Sequence, residues 1–113
     1  MKFSLVENLA KLPLPPTAKW PQGYPDVTLH ERDEALILLF APRNVDYQTP
    51  HTQDELYVVV RGRGTLVVEG NEIPFETGDA LFVAAGDAHR FVKFSDDFAA
   101  WVVFWGPHRE RKP

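Results

Sequence analysis

The amino-acid sequence predicts an all-β domain, a small antiparallel β-barrel or jelly roll, preceded by a proline-rich N-terminal arm. Three features of the 113 residues favour this fold class: strand-length apolar runs, glycines at a regular interval, and prolines concentrated near the N-terminus. None of the runs continues long enough at a period of 3.6 residues to predict a substantial helix. We therefore divide the chain into an extended arm over residues 1–26, a barrel over 27–106 and a tail over 107–113.

The arm is defined by its prolines, five of which lie between Pro13 and Pro25. Proline has no backbone N–H and a fixed φ, so this stretch fits neither a helix nor a central strand. Trp20 and Tyr24 give the arm apolar surface, and we expect it to pack against a neighbouring surface or subunit. Upstream of the prolines, Val6–Lys11 predicts a single helical turn.

Six runs within the barrel segment have the length and composition of β-strands. They are rich in β-branched and aromatic residues and are bounded by Gly, Asp or Pro. The predicted strands are Ala35–Ala41, Leu56–Val60, Thr65–Val68, Ala80–Ala84, His89–Phe94 and Ala99–Trp105.

Four glycines, Gly62, Gly70, Gly78 and Gly86, recur at a constant interval of eight residues. A short strand and a tight turn together occupy about that length, and glycine supplies the positive φ that turns often need. The interval therefore predicts consecutive antiparallel hairpins over Val58–Ala88, which is typical of a sandwich or a small barrel.

The composition excludes several classes of function. With no cysteine, the chain has neither a disulfide framework nor a thiolate metal site, and a transition-metal site must use carboxylates and the four histidines. The formal charge of −4 argues against a nucleic-acid partner. The apolar stretches are too short to span a membrane, and the N-terminus lacks the pattern of a secretion signal. We therefore expect no membrane partner and a cytoplasmic location.

One group of side chains suggests chemistry. Glu55 opens an otherwise apolar strand, and a buried carboxylate without a partner is costly. His51 lies four residues before it, and His89 follows the turn at Gly86. In a closed sheet these three side chains can meet inside, where two imidazoles and a carboxylate suit a divalent first-row metal. The spacing alone leaves open that each histidine is an exposed or hydrogen-bonded structural residue.

The same residues fall into two motifs. The first reads His, three residues, Glu, six residues, Gly, and comprises His51, Glu55 and Gly62. The second reads Gly, five residues, Pro-x-Gly, two residues, His, and comprises Gly78, Ala84 in place of the proline, Gly86 and His89. In this order and spacing the segment His51–Lys93 resembles the cupin superfamily, specifically the small single-domain conserved-barrel proteins of the cupin 2 type. The resemblance implies the double-stranded β-helix fold of that superfamily.

The resemblance also implies a metal site from which one ligand is missing. Metal-binding cupins typically use two histidines and the glutamate of the first motif and the histidine of the second. Here Thr49 stands where the first histidine is expected, which leaves His51, Glu55 and His89. Gln53 has the same strand parity as Glu55, so it either replaces the missing ligand or hydrogen bonds beside the site as an amide. The ligands suit Fe, Mn, Ni, Zn or Cu equally.

These residues lead to two functional hypotheses. In the first, a divalent metal acts on a small organic molecule inside the barrel, with the dioxygenase, isomerase, epimerase or lyase chemistry that the resemblance implies. Glu55, if it is not a ligand, is then the natural general base. Tyr57 shares its face and either offers its phenol to the substrate or is a core tyrosine with a satisfied hydroxyl. In the second, the barrel binds or senses a small molecule without turnover, and Thr49 marks a degraded metal site. A homodimer is expected from the resemblance.

We assign no chemical role to the aromatic residues of the last predicted strand or to the other two histidines. Along the last strand, Trp101, Val103 and Trp105 share one face, and we assign them to the interior as cavity wall or as core. His30 and His108 lie in charged, turn-like sequence, and we expect both at the surface.

Overall fold

The computed structural model describes residues 1–109, so the last four residues of the predicted tail, 110–113, lie outside the described residues. One short helix and eight strands form in this part of the chain. They are α1 Leu5–Leu9, β1 Asp26–Arg32, β2 Ala35–Phe40, β3 Asp54–Arg61, β4 Arg63–Val68, β5 Asn71–Glu76, β6 Ala80–Val83, β7 His89–Val92 and β8 Ala99–Trp105.

The strands form two antiparallel sheets, which confirms the all-β prediction. The larger sheet has the order β1-β2-β8-β3-β6, and the smaller has the order β5-β4-β7. Strand β3 lies between β8 and β6, pairing Glu55 with Phe104 on one side and with Val83 on the other. The first residues of β3 are therefore held by partners that are distant in the sequence.

The core lies between the sheets and is built from alternate side chains of each strand. In β3 the alternation buries Glu55, Tyr57 and Val59. The ring of Tyr57 packs in a cluster of aromatic rings with Phe40, Phe75, Phe91 and Phe98. These rings fill part of the core between the two sheets.

The assignment of β8 side chains to the interior was wrong. The buried residues are Ala100, Val102 and Phe104, whereas Trp101 and Val103 are half-buried and Trp105 is exposed. Both alternating sets of this strand are apolar, so its composition did not distinguish its inner face from its outer face.

All six predicted strands are present, with ends that differ by at most two residues. Strands β1 and β5 were missed. Both lie at the edge of a sheet, where polar and exposed side chains weaken the apolar pattern. Strand β5 also contains Pro74, which has no backbone N–H. An edge strand tolerates proline at positions where the N–H would face away from the neighbouring strand.

The turn glycines have the positive φ that was predicted, with +82° at Gly62 and Gly70, +98° at Gly78 and +85° at Gly86. The prediction of consecutive hairpins was wrong, because only β4 and β5, joined at Gly70, pair with each other. At the other three glycines the chain crosses from one sheet to the other. At Gly62 a Cβ would lie 2.8 Å from the Cα of Phe98, so the crossing also needs close backbone approach.

The N-terminal segment packs against the barrel of its own chain. Helix α1 begins after Ser4, whose hydroxyl accepts a hydrogen bond from the backbone N–H of Glu7 at 3.2 Å. Trp20 is buried and contacts Tyr24 and Tyr47 edge-on. The proposed division at residue 26 stays a prediction, although β1 begins at that residue.

Among residues 1–109, none of the helical structure is long and apolar enough to cross a membrane. The cytoplasmic location expected from the sequence stays a prediction.

Candidate metal centre

The structure brings together the three side chains that the motifs identified. Glu55 points inward from the larger sheet, His89 begins β7 of the smaller sheet, and His51 lies in the loop before β3. One ligand atom from each of the three lies within 4.8 Å of the others. The cluster therefore sits between the two sheets.

The Glu55 carboxylate lies between the two imidazoles. Its Oε1 is 3.1 Å from Nε2 of His89, and its Oε2 is 4.0 Å from Nε2 of His51. The Glu55 side chain is only 2% exposed, whereas that of His51 is 35% exposed. The site is thus buried at Glu55 and His89 and partly exposed at His51.

The Oε1 atom of Glu55 is buried and accepts no hydrogen bond from any of residues 1–109. Nε2 of His89 is close to it but is not placed with hydrogen-bond geometry. A buried carboxylate oxygen without a donor is costly, and a cation at this position removes the cost. The donor set and the free oxygen therefore fit a metal ion.

The environment of His89 orients its ring toward the cluster. Its Nδ1 lies 3.0 Å from the carbonyl oxygen of Asp87, which only an Nδ1–H can satisfy. In the neutral ring this leaves the lone pair on Nε2, the atom that faces Glu55. Burial acts to lower the pKa of His89, but the Glu55 carboxylate, the Asp87 carbonyl and the Asp46 charge together outweigh it, so the pKa is raised. Without a metal, a protonated His89 forms an ion pair with Glu55. With a metal, the deprotonated Nε2 of His89 is available to bind it.

His51 is the second imidazole of the cluster, and its ring packs edge-on against Phe104 with centroids 4.9 Å apart. Burial lowers the pKa of His51, and the attraction of Glu55 offsets this only in part. The neutral imidazole, which is the form that binds metals, is therefore favoured near pH 7.

Gln53 forms hydrogen bonds through its amide, as one of its two predicted roles requires. Its Nε2 donates hydrogen bonds to the backbone carbonyls of Glu34, at 2.5 Å, and Gly106, at 3.0 Å. These bonds tie the start of β3 to the β1–β2 turn and to the end of β8. The prediction that Gln53 replaces the missing ligand gains no support from these contacts.

A glutamine that the sequence analysis missed, Gln48, lies at the cluster instead. Its Oε1 accepts a hydrogen bond from the Tyr57 hydroxyl at 3.0 Å and is 3.3 Å from Nε2 of His51. Gln48 immediately precedes Thr49, where the motif expects a histidine. The sequence signal for Gln48 is its position next to Thr49, because a loop can direct the side chain of either residue toward the site.

Tyr57 links Gln48 to the buried side of the cluster. Its hydroxyl is also 3.2 Å from Nε2 of His89. Burial raises the pKa of Tyr57 well above its usual value of 10.0, and the Glu55 charge adds to the rise. The phenol therefore stays protonated and acts as a hydrogen-bond donor within the site.

A cavity of about 340 Å³ opens beside the cluster, within the range of 300–1,000 Å³ typical of small-molecule sites. It lies between the N-terminal segment and the larger sheet, and most of its wall is apolar. The apolar lining residues are Trp20, Tyr24, Leu36, Leu38, Phe40, Val102 and Phe104.

The two histidines expected at the surface differ in their positions. His30 lies on β1 beside Phe3 and does not line this cavity. His108 is exposed but lines the cavity mouth, where its Nδ1 is 2.6 Å from the hydroxyl of Thr52. His108 is exposed as expected, but its place at the cavity was not predicted from the sequence.

Asp26 is a second carboxylate in the cavity wall, and the sequence analysis missed it. Burial raises the pKa of Asp26 from 3.8 to about 6, the Tyr24 phenol partly opposes the rise, and the Glu55 charge adds to it. Asp26 therefore exchanges a proton close to neutral pH within the space that a ligand would occupy.

Comparison with known families agrees with this architecture. The cupin domain model of the cupin 2 type matches residues 36–105, which is more than half of the chain. The protein belongs to the cupin family.

The similarity to a curated relative covers only part of each chain. The uncharacterised protein SCO3923 of Streptomyces coelicolor is 42% identical over 62 residues, which cover 55% of this chain and 59% of that relative. The chain thus matches well under two thirds of the relative's length.

Several solved structures share the fold. A cupin 2 conserved barrel domain protein of Salinispora arenicola superposes with a TM-score of 0.62 at 23% identity, covering 72% of this chain and 74% of that one. The plu4264 protein of Photorhabdus luminescens gives 0.63 at 16% identity, covering 72% and 73%. A variant of Streptomyces Pac13 with uridine gives 0.59 at 14% identity, covering 70% and 65%. At these identities the similarity establishes the fold alone.

The raised pKa of Asp26 predicts how an Asp26→Asn variant changes stability with pH. Above about pH 6 the folded wild type holds a poorly solvated charge, whereas between about pH 6 and 4 it binds a proton that the unfolded chain lacks. Wild-type stability therefore gains as pH falls through this window. The rise in pKa corresponds to at most about 3 kcal/mol, which screening at a half-buried site reduces to the order of 1–2 kcal/mol.

We expect Asp26→Asn to be more stable than wild type by this amount at pH 8 and to lose its advantage near pH 4. Urea unfolding in the presence of a chelator measures the difference, and Asp96→Asn, which removes an exposed carboxylate, is the control. A gain that is the same at both pH values, or that the control reproduces, would contradict the assignment.

Proposed function

We propose that the protein is a metal-binding cupin in which His51, Glu55 and His89 hold one divalent transition metal. The adjacent cavity would bind a small organic molecule. The observation that carries the proposal is the Glu55 carboxylate, which is buried between two imidazoles and has an oxygen without a donor among the described residues. A Streptomyces Pac13 variant with uridine supports a small-molecule ligand for a barrel of this fold.

Two imidazoles and one carboxylate leave coordination positions open on a first-row ion. When bound, such an ion supplies a Lewis acid or a site at which O₂ and substrate meet. Fe, Mn, Ni, Zn and Cu all accept these donors, so the identity of the metal is left open in the proposal. The reaction that we propose belongs to the dioxygenase, isomerase or lyase classes.

The protein groups divide the remaining work. Asp87 orients His89 through its backbone carbonyl, and Phe104 packs against the His51 ring. Glu55 is engaged as a ligand in this proposal, which removes it as the general base. Tyr57 donates a hydrogen bond at the site, and Asp26 is the cavity carboxylate free to accept a proton from the bound molecule.

A non-catalytic binding protein is the second candidate, and one contact favours it. The hydroxyl of Thr49, at the position where the motif expects a histidine, is exposed and lies 3.3 Å from Nζ of Lys19. Thr49 thus contributes nothing to the cluster. A barrel that holds its ligand without a tightly bound metal would need no fourth donor.

Metal content separates the two candidates. Untagged protein purified without chelator is expected to contain close to one Fe, Mn, Ni, Zn or Cu ion per chain. A His51→Ala variant is expected to lose most of it, because one of two imidazole donors is gone. His30→Ala removes a histidine that lies on β1 outside the cavity, so it should keep the wild-type content.

Elemental analysis by mass spectrometry measures all three proteins. Wild-type metal far below one ion per chain that does not change in His51→Ala would overturn the metal site and leave the binding protein as the better account.

We further propose that the chain is a homodimer that associates through the outer face of the larger sheet. Phe82 of β6 is 55% exposed and Trp105 of β8 is 39% exposed, and their rings lie 6.1 Å apart. Leu56 and Val103, from β3 and β8, are half-buried on the same face. A contiguous apolar surface of this kind is typical of a protein–protein interface.

A Phe82→Lys variant tests the dimer, because it places a charge on the most exposed of the aromatic side chains in the apolar face. Light scattering after gel filtration should give twice the chain mass of 12.9 kDa for wild type and the chain mass for the variant. Ile73→Lys, at an exposed apolar residue of the other sheet, should remain dimeric. A monomeric wild type, or a Phe82→Lys variant that stays dimeric, would refute this interface.

A further inference from the structure

We infer that Gln48 supplies a fourth protein ligand through its Oε1, taking the place of the imidazole that the first cupin motif has at Thr49. This inference rests on the proposed metal site and identifies a ligand that neither the motif register nor strand parity indicates.

The Gln48 oxygen lies at ligand spacing from the cluster. Oε1 is 3.3 Å from Nε2 of His51, and Oε1 of Glu55 is 3.1 Å from Nε2 of His89. Two bonds of about 2.1 Å at an angle of about 90–100° place their ligand atoms about 3.0–3.2 Å apart. Both spacings are therefore close to those of neighbouring ligands on one first-row ion.

The Gln48 amide is held in one orientation by Asp46. Asp46 is only 1% exposed and accepts hydrogen bonds from the backbone N–H of Gln48 at 3.1 Å and from its side-chain Nε2. Because the nitrogen end of the amide is held by a carboxylate, the oxygen end must face the cluster. Asp46 is itself fixed by the backbone N–H of Phe91 in β7, at 2.9 Å.

Oε1 of Gln48 has the capacity for a further partner. A carbonyl oxygen has two lone pairs, and the Tyr57 hydroxyl uses one of them. The other is available to a cation beside His51, whose Nε2 lies 3.3 Å from Oε1. Gln48 can thus bind the ion while Tyr57 keeps its hydrogen bond.

Neither competing candidate hydrogen bonds to a side chain of the cluster within residues 1–109. The hydroxyl of Thr49 lies beside Lys19 at the surface, and the amide nitrogen of Gln53 donates to two backbone carbonyls. Gln48 therefore completes a set of two imidazole nitrogens, one carboxylate oxygen and one amide oxygen.

The test uses Co²⁺ as the probe, since its visible absorption bands report the donor atoms directly. Gln48→Leu and the matched control Gln53→Leu are compared with wild type in chelator-competition titrations and in their absorption spectra. We expect Gln48→Leu to weaken Co²⁺ binding at least tenfold, in line with the losses that follow disruption of a metal site. Its absorption bands should also shift, because water replaces the amide oxygen, whereas Gln53→Leu should keep the wild-type bands.

Three outcomes are distinguishable. Absence of Co²⁺ binding by wild type overturns the metal site itself. Binding by wild type with unchanged bands in Gln48→Leu overturns only this inference, even if the affinity falls, because a residue that merely positions His51 alters affinity without changing the donors. If Gln48→Leu fails to fold, Gln48→Asn keeps the amide and withdraws its carbonyl by one methylene, and the same weakening and band shift are expected.

Discussion

The site depends on the cost of burying the Glu55 carboxylate. Its side chain is 2% exposed, and one of its oxygens lacks a donor among residues 1–109. A charge in that position must be balanced by a proton or a cation, and the adjacent His89 and His51 allow both. In the absence of a metal, the His89 imidazole supplies the proton, because its raised pKa favours the protonated ring. With a metal bound, the same imidazole supplies a lone pair.

The fold makes this arrangement rigid by holding the loop before β3 from both sheets. Asp46 fixes one part of the loop to Phe91 in β7 of the smaller sheet. Nearer β3, the carbonyl oxygen of His51 accepts a hydrogen bond from Gly86 N–H at 2.7 Å, in the crossing between β6 and β7. Asp54, the first residue of β3, accepts another from Ala85 at 2.9 Å. The loop that carries the partly exposed side of the site is thus fixed at several points before any ligand binds.

Much of this could be predicted from the sequence, because some of its signals are local. Strand-length apolar runs identified six strands, and the spacing of two motifs placed His51, Glu55 and His89 together. Alternation within a strand groups side chains by face but does not say which face is inside when both are apolar. For that reason Trp101 and Trp105 were assigned to the wrong side of β8.

The remaining features arise from contacts between distant segments. Gln48 reaches the cluster only because Asp46 turns its amide, and Asp26 reaches the cavity only because β1 joins the edge of the larger sheet. Neither residue lies in a motif, and each is polar in a segment where solvent exposure is the ordinary expectation. Their roles follow from the closed barrel and not from local pattern.

The most direct test of the central claim is an anomalous difference map from crystals of protein loaded with one equivalent of Co²⁺. The account predicts a single strong peak about 2.0–2.2 Å from Nε2 of His51, Nε2 of His89 and a carboxylate oxygen of Glu55. A peak confined to other residues, such as His30 or His108, with ordinary solvent density between the three proposed ligands, would contradict it.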